Sequence, residues 1–301
     1  MAVTIILIVL AAAAIVLLIA GFALAAYATG GLRQTLDEAR AWQEEHYDLS
    51  WYDPLEKRDY TVTSYDGYLL HVQLLPCGAA SGRYVIISHG YTDNRFGALK
   101  YAKMYLDNGW NVIIYDLRGH GVNEPTYCSY TVRERKDLSV LIRDTRGRYE
   151  GLTKLGLHGE SMGAATSVAV LGEKPPVDFV VADCGFAEII SVMQGGLRNM
   201  HLPEWLVHVA SFCFRLQRGY SFSAMCPVDE LKDNTVPILF MHGADDDFVL
   251  PRNSEAMHSA TKGYSELHLI AGATHAMSVL TDPEGYRLHL EAFLNKVCPE
   301  T

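Results

Sequence analysis

Leu155-Gly156-Leu157-His158-Gly159-Glu160-Ser161-Met162-Gly163-Ala164-Ala165 is the stretch around which this chain is organised. A short apolar run leads into Gly-x-Ser-x-Gly, and small and apolar residues follow at helical spacing. The pattern predicts a strand that turns sharply into a helix, with a serine at the apex of the turn. Glycine at both flanking positions fits, because a side chain there would meet the neighbouring strand or helix. Three fixed positions do not make a site. A base, a carboxylate and two amide donors must come from elsewhere in the chain.

The whole chain allows for them. Its 301 residues, 49% hydrophobic and 20% charged, are enough for a globular domain with a real core. A net charge of −10 excludes a nucleic-acid surface, since no basic stripe is available to displace phosphate counterions. Six cysteines are scattered without a CxxC pair, which reads as buried thiols rather than a zinc site or a disulfide framework.

Val3 to Ala28 carries no charged residue and would span roughly 39 Å as a helix, more than the ~30 Å of a hydrocarbon core. A cleaved leader would want a basic start and an apolar segment of about 7–15 residues. No Lys or Arg precedes this run and it is too long, so a single uncleaved membrane anchor is the better reading, although Ala26-Tyr27-Ala28 resembles a cleavage site. Arg33 and Arg40 follow the span, mixed with Asp37, Glu38, Glu44 and Glu45, and this leaves the side of the membrane open. Leu32 to Tyr47 then reads as an amphipathic connecting helix with Leu32, Leu36 and Ala39 on one face, broken by Asp53-Pro54.

From Arg58 onward the chain alternates. Two strands, 60–63 and 70–74, flank the hairpin signal Asp66-Gly67. A Gly/Ala/Ser loop leads to a strand at 84–88, and helical spacing at 98–106 ends at Asn108-Gly109. Further strands at 111–115, 155–158, 179–182, 237–241 and 266–270 are separated by helical segments that include 132–149 and 286–297. Short apolar strands alternating with helices predict a mostly parallel sheet covered on both faces after an antiparallel start. Ala187 to Asp233 departs from the alternation: it is helix-like, rich in Met and aromatics, and inserted where such sheets keep their sites, so it reads as a lid.

Ser161 needs a base. Of twelve histidines, His275 stands in a loop after the last strand and before the last helix, whereas His89, His120, His158 and His242 sit beside glycines and read as turn-shaping residues. The imidazole in turn needs a carboxylate on its far nitrogen. Asp245, Asp246 and Asp247 follow the strand ending at Met241, and residue chemistry alone does not choose among them; Asp183 is a fourth candidate. For the oxyanion, one N–H comes from Met162, directly after the serine, and the other from Tyr91, in the loop after the 84–88 strand.

With these residues in place, the chain from about Arg58 to Val297 resembles the α/β-hydrolase superfamily. It is most similar to bacterial serine aminopeptidase-like and dipeptidyl-peptidase-like hydrolases, several of which carry an N-terminal anchor. The matching residues are His89-Gly90-Tyr91, Asp116-Leu117-Arg118-Gly119-His120-Gly121, Gly159 to Gly163, His242-Gly243-Ala244-Asp245-Asp246 with Val249, and His275. The family's acid motif, Gly-x-x-Asp-x-x-Val-Pro, falls on Gly243, Asp246 and Val249 and so implies Asp246, with the proline one residue late at Pro251. Where the family often has Ser after Gly-His-Gly, this chain has Asn123.

The resemblance implies an α/β-hydrolase fold at 58–301, with a helical lid at about 187–233, behind an anchor at 1–30 and a helical linker at 31–57. It implies a serine hydrolase acting on acyl esters through Ser161, Asp246 and His275. A peptidase or amidase of the same fold is the alternative, and a non-catalytic binding protein the remote one. The expected partners are a small acyl ester or short peptide and the membrane. No metal or organic cofactor is implied, since there is no His-x-x-x-His pair, phosphate loop or dinucleotide fingerprint.

Overall fold

A computed structural model describes residues 1–30, 33–78 and 80–299. Leu32 in the expected linker face, Ala79 in the Gly/Ala/Ser loop and the last two residues of the expected hydrolase domain lie outside the described residues. The chain divides into two compact units, one built from the described part of 1–31 with Glu188–Met225, the other from the rest.

The larger unit is an eight-stranded sheet. Its strands are β1 (Arg58–Thr63), β2 (Leu69–Leu75), β3 (Arg83–Ser88), β4 (Asn111–Tyr115), β5 (Lys154–Glu160), β6 (Phe179–Asp183), β7 (Ile238–Gly243) and β8 (Ser265–Ile270), in spatial order β1-β2-β4-β3-β5-β6-β7-β8. β1 and β2 pair antiparallel around the Asp66-Gly67 turn and β2 runs antiparallel to β4; all later pairings are parallel. In the parallel strands both faces are apolar. Val85, Ile87, Val112, Ile114, Val181 and Leu239 are buried on one side, and Ile86, Ile113, Leu157, Val180, Ile238 and Phe240 on the other. Side chains alternate along a strand, so burial on both faces requires helices on both faces. Besides the helices α2 and α3 described below, the unit contains Glu134–Arg148, Met162–Ala169, Arg252–Ala260, Ser278–Thr281 and Pro283–Val297.

The linker helix, Leu36–His46, starts with a capping box: Thr35 Oγ accepts from Glu38 N at 3.2 Å and Glu38 Oε2 accepts from Thr35 N at 2.8 Å. Its buried residues are Ala39 and Gln43, one turn apart; of the expected face Ala39 is buried and Leu36 half-buried. It is followed by Leu49 and Tyr52, which join the core cluster with Tyr101, Tyr105 and Trp110. The segment is thus part of the larger unit's core and not a free stalk.

Numbering helices in chain order, the smaller unit holds α1 (Ala2–Gly30), α6 (Ile189–Asn199) and α7 (Leu206–Arg218), and the larger unit holds α2 (Leu36–His46), α3 (Leu99–Asp107), α4 (Glu134–Arg148), α5 (Met162–Ala169), α8 (Arg252–Ala260), α9 (Ser278–Thr281) and α10 (Pro283–Val297). α1 is long and apolar enough to cross a membrane, and its most apolar 18-residue window is uncovered. Gly21, Ala25 and Thr29, spaced by four, are its buried residues. α1 packs on α7 there: a Cβ at Gly21 would lie 2.7 Å from Cys213 Sγ and 2.8 Å from a Val209 methyl. Small residues let two helices approach closely. Within α6–α7 and the turn that follows, Phe214 meets the Tyr220 ring edge-on and the Phe222 ring at a tilt, while Trp205, Phe212 and Leu216 are exposed.

One buried cation ties the antiparallel start to the parallel sheet. Arg118, in the loop after β4 and 1% exposed, donates from two nitrogens to Asp66 at 2.9 Å each and from Nε to Asp137 of α4 at 2.8 Å. Its guanidinium also lies 4.2 Å from the Tyr68 ring centre. Asn123 completes the same loop, donating to Asp116 O at 2.6 Å and accepting from His71 N of β2 at 3.0 Å. The departure from the family's serine therefore has a structural role: a longer amide reaches β2. Replacing Arg118 with Met strands two carboxylates without their cation, and we expect a loss of about 3–5 kcal/mol in urea unfolding.

Candidate active site

The turn between β5 and α5 places Ser161 at φ 52°, ψ −113°, backbone that non-glycine residues rarely adopt. Two constraints enforce it. The Ser161 N–H donates to Asp183 O at 2.8 Å, keeping the chain in register with β6 up to the apex. α5 then leaves so close to the sheet that a Cβ at Gly159 would sit 2.2 Å from the Gly163 carbonyl, and one at Gly163 would sit 2.1 Å from Ser88 O. Neither obstacle is a flexible side chain, so neither can step aside.

Ser161 Oγ donates to His275 Nε2 at 2.9 Å, and His275 Nδ1 donates to Asp246 Oδ2 at 2.7 Å. The structure therefore brings together the three residues expected to act, and it separates the three adjacent aspartates. Asp246 is buried, with Oδ1 accepting from Phe248 N at 3.0 Å and Val249 N at 2.9 Å; Asp245 and Asp247 are exposed. Burial opposes the Asp246 charge, yet hydrogen bonds from His242 and His275 hold its carboxyl well below the usual range. Asp183 points elsewhere, toward Tyr101 at 3.0 Å and Ser278 at 3.3 Å.

Met162 opens α5, so its N–H has no acceptor within the helix. Tyr91 follows Gly90; its ring packs against His120 and Tyr130, and the residue lines the cavity beside Ser161. The remaining glycine-flanking histidines are held by structure. His89 accepts from Leu117 N at 2.9 Å and is kept neutral by burial, its pKa pushed down to about 4. His158 lies between Tyr105 and Tyr286, pushed down to about 3 by burial and then by Lys100. His242 braces the acid loop through Val249 O at 2.7 Å and Ser254 at 2.7 Å.

A cavity of about 220 Å³ opens at Ser161 and His275. Trp42 and Gln43 of the linker helix, Asp93, Lys100 and Glu160 line it. Gln43 is 1% exposed, and its Oε1 has no partner among the described residues. Burial and the nearby Glu160 push Asp93 up to about 6. Sequence reasoning missed these groups. The one available signal was Glu160, a charged residue ending a buried strand, which demands a cation that pattern alone could not locate. Cys184 was also missed: its sulfur lies within 4.8 Å of ligand atoms of Asp246 and His275, and burial keeps its thiol protonated.

Comparisons with known proteins agree with this architecture. The profile of a family described as "Serine aminopeptidase, S33" matches residues 80–215. The protein named YqkD of Bacillus subtilis is 31% identical over 255 residues, covering 83% of each chain. The esterase Pf2001 of Pyrococcus furiosus superposes with a TM-score of 0.66 at 23% identity, covering 81% of this chain and 94% of its own. An esterase from Exiguobacterium antarcticum does so at 0.59 and 18%, over 78% and 99%. The chain belongs to the α/β-hydrolase superfamily and is a hydrolase of the α/β fold.

The elbow can be tested apart from the chemistry. Gly163→Ala forces a methyl against the Ser88 carbonyl, so we expect a lower melting temperature together with loss of fluorophosphonate labelling.

Proposed function

We propose that this protein is a membrane-anchored serine hydrolase that cleaves acyl esters. The observation that carries the reading is the unbroken hydrogen-bonded chain Ser161–His275–Asp246 at the mouth of a cavity. Ser161 Oγ attacks the ester carbonyl as His275 takes its proton, and Asp246 stabilises the resulting imidazolium. The backbone amides of Met162 and Tyr91 receive the oxyanion. Collapse breaks the carbonyl–alkoxy bond, His275 returns the proton to the leaving alcohol, and an acyl-Ser161 remains. Water, deprotonated by His275, then releases the acid and restores the serine.

Amide or peptide cleavage by the same residues is the second reading. Its specific support is the Asp93 carboxyl in the cavity that opens at Ser161, where an amine could be received. The description of the matching family points the same way.

Membrane anchoring rests on α1, and its packing on α7 supports a retained helix over a cleaved leader. A segment removed after export would have no use for a tailored contact with residues two hundred positions away. A reporter fused to the C-terminus would assign the side of the membrane.

The decisive assay uses the full-length chain in detergent with p-nitrophenyl esters of graded length beside aminoacyl anilides. Ser161→Ala should remove activity by at least ~10³-fold, as should Asp246→Asn, while Asp245→Asn and Asp247→Asn stay within ~3-fold of wild type. Activity retained without Ser161 rejects the mechanism; equal losses at all three aspartates reject the choice of acid; faster turnover of the anilides favours the second reading.

A further inference from the structure

Beneath the elbow lies a charged cluster that the reaction above does not use. Lys100, in the first turn of α3, is enclosed, with a side chain 3% exposed. Its ammonium pairs with Glu160 Oε2 and donates to the carbonyl oxygen of Ala276 at 3.3 Å. Glu160 is the residue before Ser161, and Ala276 is the residue after His275. Tyr101 holds the same Glu160 oxygen at 2.6 Å and reaches Asp183 at 3.0 Å, and Ser278 reaches Asp183 from the start of α9. The cluster thus touches both chain segments that carry the reacting groups. It does so where both are in unfavourable backbone: Ser161 at φ 52° and Ala276 at φ 60°.

Two buried charges are costly unless matched, and a well-packed apolar pair would serve stability as well. Geometry gives this pair a use that an apolar pair lacks. An ammonium has three hydrogens and can bridge a carboxylate on one segment to a carbonyl on another, fixing their separation. Burial works against the Lys100 charge, but Glu160, Tyr47 and Asp93 outweigh it and hold its pKa above the ordinary lysine value, so the bridge persists across the working pH range.

Resting on the serine-hydrolase reading, we propose that Lys100 and Glu160 are positioning residues. Their ion pair clamps the Ser161 turn to the His275 loop, and because it is neutral as a pair it leaves the imidazole's charge balance to Asp246. Other titratable groups facing the pair are Tyr47, Asp93, Tyr101, His158 and Asp183.

Removing one partner leaves the other's charge beside the histidine, with opposite consequences. Lys100→Met leaves the Glu160 carboxylate, which favours the protonated imidazole; the acidic limb of the kcat/KM profile then moves to higher pH. Glu160→Gln leaves the ammonium, which disfavours it; the limb moves to lower pH. In each variant kcat should fall by at least ~10-fold with KM within ~3-fold, because the substitutions act mainly on the alignment of the reacting atoms. The Lys100→Met/Glu160→Gln double variant, uncharged at both positions, should return the limb to its wild-type place without recovering kcat.

The measurement uses the full-length chain in detergent, with thermal melts as the control for folding. Where Lys100→Met does not fold, Glu160→Gln carries the test alone through the direction of its shift. Limbs that stay in place, or that move the same way in both single variants, overturn the clamp. Activity that survives Ser161→Ala is a different failure, since it removes the site on which the clamp is proposed to act.

Discussion

Everything at the candidate site depends on how closely α5 approaches the sheet. The helix can start directly beneath the ends of β3 and β5 only because Gly159 and Gly163 leave no side chain between them. That closeness forces Ser161 into a backbone conformation that it would otherwise avoid, and the strain is held by flanking contacts: the register with β6 on one side and the wholly buried α5 on the other. The gain is exposure of a hydroxyl at a point where a helix start supplies an unpaired amide. A looser junction would relax the serine and lose both.

Much of this was legible because the signals were local. Alternation of short apolar runs with helical spacing is a statement about neighbours in sequence, and it located the sheet and its antiparallel start. The elbow is equally local. The aspartates were harder: Asp245, Asp246 and Asp247 are chemically identical, and only the turn that directs Phe248 N and Val249 N onto one of them separates their surroundings. The resemblance to a family supplied what residue chemistry could not. Lys100 was beyond reach in a stronger sense. In its helix it reads as a solvated residue on a polar face, and only the distant Glu160 and Ala276 explain why it is enclosed. The role of the linker helix was out of reach for the same reason. Gln43 looks like a surface residue until the wall it forms beside Ser161 is seen.

Gln43 in that wall changes what the cavity asks of a substrate. An apolar chain would leave Gln43 Oε1 unsatisfied, at a cost of about 1–3 kcal/mol for a buried group left unmatched. A group that can donate a hydrogen bond meets it. Selectivity at this wall is thus exerted by what goes unsatisfied, which discriminates more sharply than a difference in apolar area.

The contact between α1 and α7 has a practical consequence for anyone handling the protein. Gly21 of α1 lies directly against Val209 and Cys213 of α7. A shortened chain that begins after residue 30 keeps α7 but strips that cover, leaving a freshly bared apolar strip alongside the already exposed Phe212 and Leu216. What looks like a detachable tether is also half of a helix pair, and cutting it exposes the other half.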